Sequence, residues 1–228
     1  MKIGILQTGK SPEIMEPKFG DYGNMFERML IGREFEFRIY DILENNFPTS
    51  IIEQDGWIIT GSRFGVYEDH DWIPVLESLI RKLHIAKAPL IGVCFGHQII
   101  AQALGGKVEK YRGGWSVGRV EYELHGKTTP LFAWHQDQVI DPPEGSKTVA
   151  FTDFCAHAGL TIGDHIYTIQ PHPEFTAEFV EGLAETRAKG IVPDPQRLAA
   201  IESIKNPVAN ADMADQFEAF LKQGQAYG

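Results

Sequence analysis

Cysteine is scarce in this chain: Cys94 and Cys155 are the only two among 228 residues. Two thiols give no disulfide framework, so the fold must rest on a packed core, and a thiol kept reduced stays open to chemistry. Basic charge is also in short supply. Lys and Arg number 21 against 31 Asp and Glu, a formal net charge of −10. That balance argues against nucleic acid and against an anionic membrane surface as partners. Long hydrophobic runs are missing too. No stretch approaches the roughly 18 apolar residues of a membrane span, and the N-terminus reads as a short apolar strand instead of a basic segment leading a hydrophobic one. A cytoplasmic setting is expected. Internal repeats and low-complexity tracts are absent from the sequence. What remains is 43% hydrophobic and 23% charged, ordinary for a globular protein with one sizeable core. One domain over 1–228 is expected, its core at about 1–188 and a helical extension over 189–228.

The first half alternates strand and helix patterns. Residues 3–6 read as a strand, 25–31 as helical, 35–40 and 57–60 as strands. Residues 72–86 form an amphipathic helix with Ile73, Leu76, Leu79, Ile80 and Leu83 on one stripe, leading into a buried strand at 90–93. This rhythm predicts an α/β fold: a mostly parallel, open, twisted sheet with helices on both faces. From 107 to 169 the pattern changes to short strands and turns, a small antiparallel excursion. Helices return at 176–188 and 212–222, joined by a proline-containing stretch over 191–207.

The segment Gly92-Val93-Cys94-Phe95-Gly96-His97-Gln98 places a cysteine between two glycines, at the junction of that buried strand and a helical run ended by Gly105-Gly106. Glycines on both sides allow the close approach and unusual dihedrals of a sharp strand-to-helix elbow. The positive end of the helix dipole there favours a thiolate. The alternative is a buried structural cysteine, against which the double-glycine frame weighs. A proton-transfer partner is found far downstream, in Gln170-Pro171-His172-Pro173-Glu174-Phe175. The prolines flanking His172 push the backbone toward extended geometry, where residues two apart point the same way, so Glu174 can hold the imidazole. Cys94, His172 and Glu174 are thus the candidate nucleophile, base and orienting acid. The competing reading makes His172 a loop residue and Glu174 an acid favouring the next helix N-terminus.

These two motifs together resemble those of the class I glutamine amidotransferase family, whose nucleophile stands in a Gly-x-Cys-x-Gly-x-Gln segment and whose base stands in a His-Pro-Glu segment. Ile58-Ile59-Thr60-Gly61-Ser62 is similar to the family's glycine-bearing strand end, and Trp134-His135-Gln136-Asp137-Gln138-Val139 to its His-x-Asp segment. Within the family the chain is similar to the stand-alone group that includes the plant γ-glutamyl peptidases. It departs from them at Pro171, where they often carry Gly. The resemblance covers about 1–188 and implies the flavodoxin-like sheet of that family. It also implies an oxyanion hole from backbone N–H groups near Gly61 and Phe95. Substrate binding would fall to Gln98, to the backbone around Ser116, Val117 and Gly118, and to His135 and Asp137. Gln98 has capping or packing as its alternative, and His135 with Asp137 a gate, a partner contact or a buried polar pair. Arg63, Asp69 and Asp71 either set specificity or form a solvated rim.

The expected reaction is attack of the Cys94 thiolate on the δ-carbonyl of a γ-glutamyl amide, then hydrolysis of a γ-glutamyl thioester to glutamate. No cofactor is expected. No metal is expected either, since His84, His97, His125, His157 and His165 lack ligand spacing. Two further classes stay open: an ammonia-supplying subunit active only with a partner synthase, and a non-catalytic stress or binding protein of the DJ-1 type. No ATP-pyrophosphatase domain falls within these residues, so GMP synthesis is not expected of this chain alone.

Overall fold

The computed structural model describes residues 1–223. Strands β1 (Lys2–Gln7), β2 (Glu36–Asp41), β3 (Gly56–Ile59) and β4 (Leu90–Val93) alternate with helices α1 (Glu16–Phe19), α2 (Tyr22–Met29), α3 (Trp72–Ile85) and α4 (Phe95–Ala103). The middle of the chain supplies β5 (Lys107–Lys110), β6 (Ser116–Leu124), β7 (Lys127–His135), β8 (Asp137–Asp141), β9 (Ser146–Phe151), β10 (Gly159–Ile162) and β11 (Ile166–Ile169). Helices α5 (Ala177–Glu185), α6 (Asp194–Ser203) and α7 (Asn210–Gln223) follow. Nine strands form one sheet in the order β2-β1-β3-β4-β11-β10-β9-β6-β7, while β5 and β8 pair separately. The run from β2 to β11 is parallel and the rest antiparallel. The α/β architecture is the expected one. The antiparallel excursion mostly extends the central sheet, and β6 and β7 are nine residues each.

Strands β3 and β4 are buried along their whole length, so their side chains alternate between two cores, one per face. Ile59 and Leu90 join the core under α3 and α4, with all five residues of the predicted α3 stripe. Ile58, Ile91 and Val93 join the opposite core. Helix α7 belongs to that second core: Met213, Phe217 and Leu221 are fully buried there beside Ile3 and Ile5.

One helix was not anticipated. The 191–207 stretch, read as a connection, contains α6. Its Pro195 lies in the first helical turn, where the missing N–H has no intrahelical partner to lose. Helix α6 packs on β6, and a side chain at Gly118 would meet Ala200 Cα at 2.7 Å.

The elbow glycines show why this site needs them. A Cβ on Gly92 would lie 2.6 Å from the Gly96 carbonyl oxygen, and one on Gly96 would lie 2.3 Å from that of Ile59. Helix α4 therefore rests directly on the ends of β3 and β4, tied by the Gly96 N–H to the Thr60 carbonyl at 3.1 Å. Gly96→Ala should destabilise the fold by about 1–3 kcal/mol, the usual cost of overpacking. A urea unfolding midpoint unchanged from wild type would show that this contact does not hold the elbow.

Candidate active site

Cys94 occupies the turn between β4 and α4 with φ 52° and ψ −103°, a region costly for a residue with a side chain. Its N–H donates to the Ile169 carbonyl at 2.9 Å, and its own carbonyl accepts from Gln98 N–H at 3.1 Å. The thiol is 6% exposed and opens on a cavity of about 480 Å³ that His172 also lines.

His172 is held from three directions. Its N–H donates to the Phe132 carbonyl in β7 at 2.8 Å. Its ring stacks on Phe175, with centroids 4.0 Å apart and 5° between planes, and its Nδ1 lies 2.7 Å from Glu174 Oε1. The geometry that joins them differs from the extended run expected from the prolines. Pro173 and Glu174 form a turn, closed by the Phe175 N–H on the His172 carbonyl at 3.4 Å. Prolines fit turns as well as strands, and this turn folds the carboxylate back onto the ring. Glu174 does not cap the following helix; the Thr176 side chain accepts the Phe179 N–H in that role.

Burial by itself would push the His172 imidazole down. The Glu174 carboxylate and the Cys94 sulfur, both acting on the ring, outweigh it, and His172 is raised to about 10. Gly61 borders the same space: a Cβ there would lie 2.9 Å from His172 Cε1 and 3.7 Å from Cys94 Cβ. Thr8 fixes the Gly61 loop, with Oγ1 2.9 Å from the Thr60 carbonyl oxygen and 3.2 Å from that of Gly61. Phe95 begins α4, where the first N–H groups have no partner within the helix.

Gln98, His135 and Asp137 line the cavity. The Gln98 amide nitrogen donates to the Asp137 carbonyl at 2.9 Å and to Gln170 Oε1 at 3.0 Å, tying the elbow helix to β8. His135 Nδ1 donates to the same carbonyl at 3.2 Å, and burial pushes this imidazole down to about 4. Burial raises the Asp137 carboxyl, which accepts from the Tyr67 hydroxyl at 2.9 Å. Ser116, Val117 and Gly118 are not brought to this cavity. Ser116 and Val117 line a separate depression, and Gly118 packs against α6 with φ +87°. Of the three residues flanking the Gly61 loop, Arg63 lines the cavity, whereas Asp69 and Asp71 are exposed and do not.

Several wall residues carried no signal in the sequence. Tyr22, Tyr67, Lys110 and Arg187 all line the cavity, yet none stands in a motif or at a fixed distance from one. The remaining histidines take part in polar networks or stacks: His97 with Thr168, His84 with His165, His157 with Thr148, His70 with Glu68, and His125 on Tyr167. Among the described residues, no group of three or more His, Cys, Asp or Glu is arranged to hold a metal ion. No described helix is long and apolar enough to cross a membrane.

An α/β sheet with a strained cysteine elbow beside a histidine–carboxylate pair narrows the class of protein, and comparison with known proteins agrees. Residues 19–180 match the family described as glutamine amidotransferase class-I, and the chain belongs to that family. It is similar to gamma-glutamyl peptidase 2 of Arabidopsis thaliana, 27% identical over 86% of this chain and 92% of that protein. It is also similar to a putative glutamine amidotransferase of Saccharomyces cerevisiae, 30% identical over 82% of this chain and 84% of that protein. The fold matches the crystal structure of a glutamine amidotransferase from Methylobacillus flagellatus with a TM-score of 0.79, at 22% identity, over 99% of this chain and 94% of that one.

The coupling of His172 to Glu174 sets a testable pH dependence. The folded value lies above the ordinary imidazole value of 6.5. The pair therefore contributes its full stability below about pH 6.5 and loses it as pH rises toward about 10. In Glu174→Gln, the His172 titration followed by NMR should move down by about one unit or more. A midpoint that stays in place would show that the carboxylate does not govern this ring.

Proposed function

We propose that the chain hydrolyses γ-glutamyl amide bonds through a thioester on Cys94. The observation that carries this reading is the Glu174–His172 bond of 2.7 Å in the wall of the cavity that Cys94, held at φ 52°, also lines. The Cys94 thiolate attacks the δ-carbonyl carbon of a γ-glutamyl group. Backbone N–H groups at Gly61 and Phe95 take the oxyanion, each such donor being worth roughly 3 kcal/mol of barrier. His172, charged at neutral pH because its value is raised, protonates the departing nitrogen as the C–N bond breaks. The neutral imidazole then takes a proton from water, which attacks the thioester. Glutamate leaves, the thiolate is regenerated, and His172 is charged again. Glu174 keeps the Nδ1–H tautomer and balances the imidazolium throughout. Gln98, His135 and Asp137 form the wall on which the glutamyl group rests.

Purified protein incubated with glutamine and a panel of γ-glutamyl amides should release glutamate unaided. Cys94→Ala should lower that release by about 10⁴-fold or more. Gly61→Ala, whose added methyl would meet His172 Cε1 at 2.9 Å, should lower kcat by about 10²-fold. Release that survives Cys94→Ala would end the thiol mechanism. A wild type silent on every compound would point instead to a subunit that works only when docked on a synthase.

A further inference from the structure

The cavity wall next to His172 holds a cation that the mechanism leaves unused. Arg187 follows α5 and is half-buried. Its Nη1 donates to the Tyr22 hydroxyl oxygen at 3.0 Å and its Nη2 to the Lys10 carbonyl at 2.7 Å. Neither partner carries a negative charge, and among the described residues no carboxylate pairs with this guanidinium. Three of its five N–H groups are left to bond elsewhere. Tyr22 is 5% exposed, and burial raises its phenol to about 12, so the hydroxyl keeps its proton at neutral pH. Because Tyr22 accepts from Arg187, its own O–H remains free to donate. Both side chains line the cavity of Cys94 and His172.

Their position relative to the reacting atoms decides what they would meet. Tyr22 packs against Phe175, with centroids 5.8 Å apart, and Phe175 is the ring on which His172 stacks. Asp137 is engaged separately, accepting from the Tyr67 hydroxyl at 2.9 Å. The cavity wall thus carries two hydrogen-bonded polar pairs, Arg187 with Tyr22 and Tyr67 with Asp137. On the reading of His172 as the proton donor to the departing nitrogen, the pair that reaches the imidazole through Phe175 is the one a group carried by that nitrogen would meet. The surroundings favour an anion: Arg63, Lys110 and Arg187 line the cavity against Glu68 and Asp137, in a chain of net charge −10.

We propose that Arg187 and the Tyr22 hydroxyl form a carboxylate-binding subsite for the departing amine, so that the favoured substrates are γ-glutamyl amino acids or short γ-glutamyl peptides with a free carboxylate. The assignment rests on the reading of Cys94 as the nucleophile toward a γ-glutamyl amide. Glutamine, which releases ammonia, has nothing to place in this subsite. A planar guanidinium with spare donors beside a phenolic O–H suits the two oxygens of a carboxylate.

The test compares γ-glutamylglycine with γ-glutamylglycinamide, which differ only in the carboxylate. For the wild type, kcat/KM should favour the acid by about 10-fold or more, the usual worth of a charge-assisted hydrogen bond. In Arg187→Gln that ratio should fall to about one, chiefly through KM. Arg187→Lys should retain part of it, and Tyr22→Phe should reduce it. An Arg187 that merely supports the fold would depress both substrates alike and leave the ratio intact, which overturns the proposal, as does a wild-type ratio of about one. Absence of turnover on either compound counts against the hydrolase reading itself. The subsite is then judged by calorimetric binding of the two dipeptides to the Cys94→Ala protein. Preference for the acid that disappears with Arg187→Gln supports it; equal or absent binding overturns it.

Discussion

The parallel ladder between β4 and β11 is the constraint from which the rest of the site follows. Val93 pairs with Ile169, and the ladder runs one step further through the Cys94 N–H on the Ile169 carbonyl at 2.9 Å. Parallel neighbours end at the same edge of a sheet, so the elbow that leaves β4 and the turn that leaves β11 emerge side by side. Residues 78 positions apart are thereby delivered to one cavity. A slip of one residue in this pairing would send every side chain of β11 to the opposite face, and both strands are buried on both faces, which makes such a slip costly.

Burial then separates the histidines by their partners. His97, His135 and His172 are all 3% exposed or less. His97 is pushed down to about 3 and His135 to about 4, with burial the leading cause in each. Neither has a carboxylate against its ring. Only His172 of these three has one, and it alone moves up. The protein thus places one imidazole that holds a proton at neutral pH among others that cannot, and it does so by positioning a single acid. The Glu174 carboxylate has no exposed side-chain surface, and its Oε2 finds no partner. A carboxylate in that state is tolerated only with a cation beside it, so proton affinity at His172 and burial at Glu174 support one another.

Much of this was legible in the chain. The α3 stripe, the β4 strand and the glycine-framed Cys94 follow from local rules, because periodicity and backbone freedom act within a few residues. The pairing of His172 with Glu174 was legible for the same reason, although its geometry was misread: flanking prolines suggested an extended run, and a turn was formed. Helix α6 was obscured by a similar ambiguity, since Pro195 reads as a breaker yet sits in a first turn that tolerates it. The role of α7 in the second core depended on packing against α2, far earlier in the chain, and of Phe217 against Tyr167 in β11 at 6.0 Å, for which no local pattern exists.

The sequence by itself determined which residue types could do chemistry here: a thiol in a strand-to-helix elbow, an imidazole with its own acid, and a sheet to carry both. Those choices are local, set by dihedral preference, side-chain period and nearest neighbours along the chain. Only the tertiary structure decided what surrounds them. It brought Tyr22, Tyr67, Lys110 and Arg187 to the cavity and left Ser116, Val117 and Gly118 outside it. The physical reason is that a cavity wall is made by strands and helices meeting across the sheet. Their approach is governed by summed packing over two cores, and no short run of residues encodes that sum.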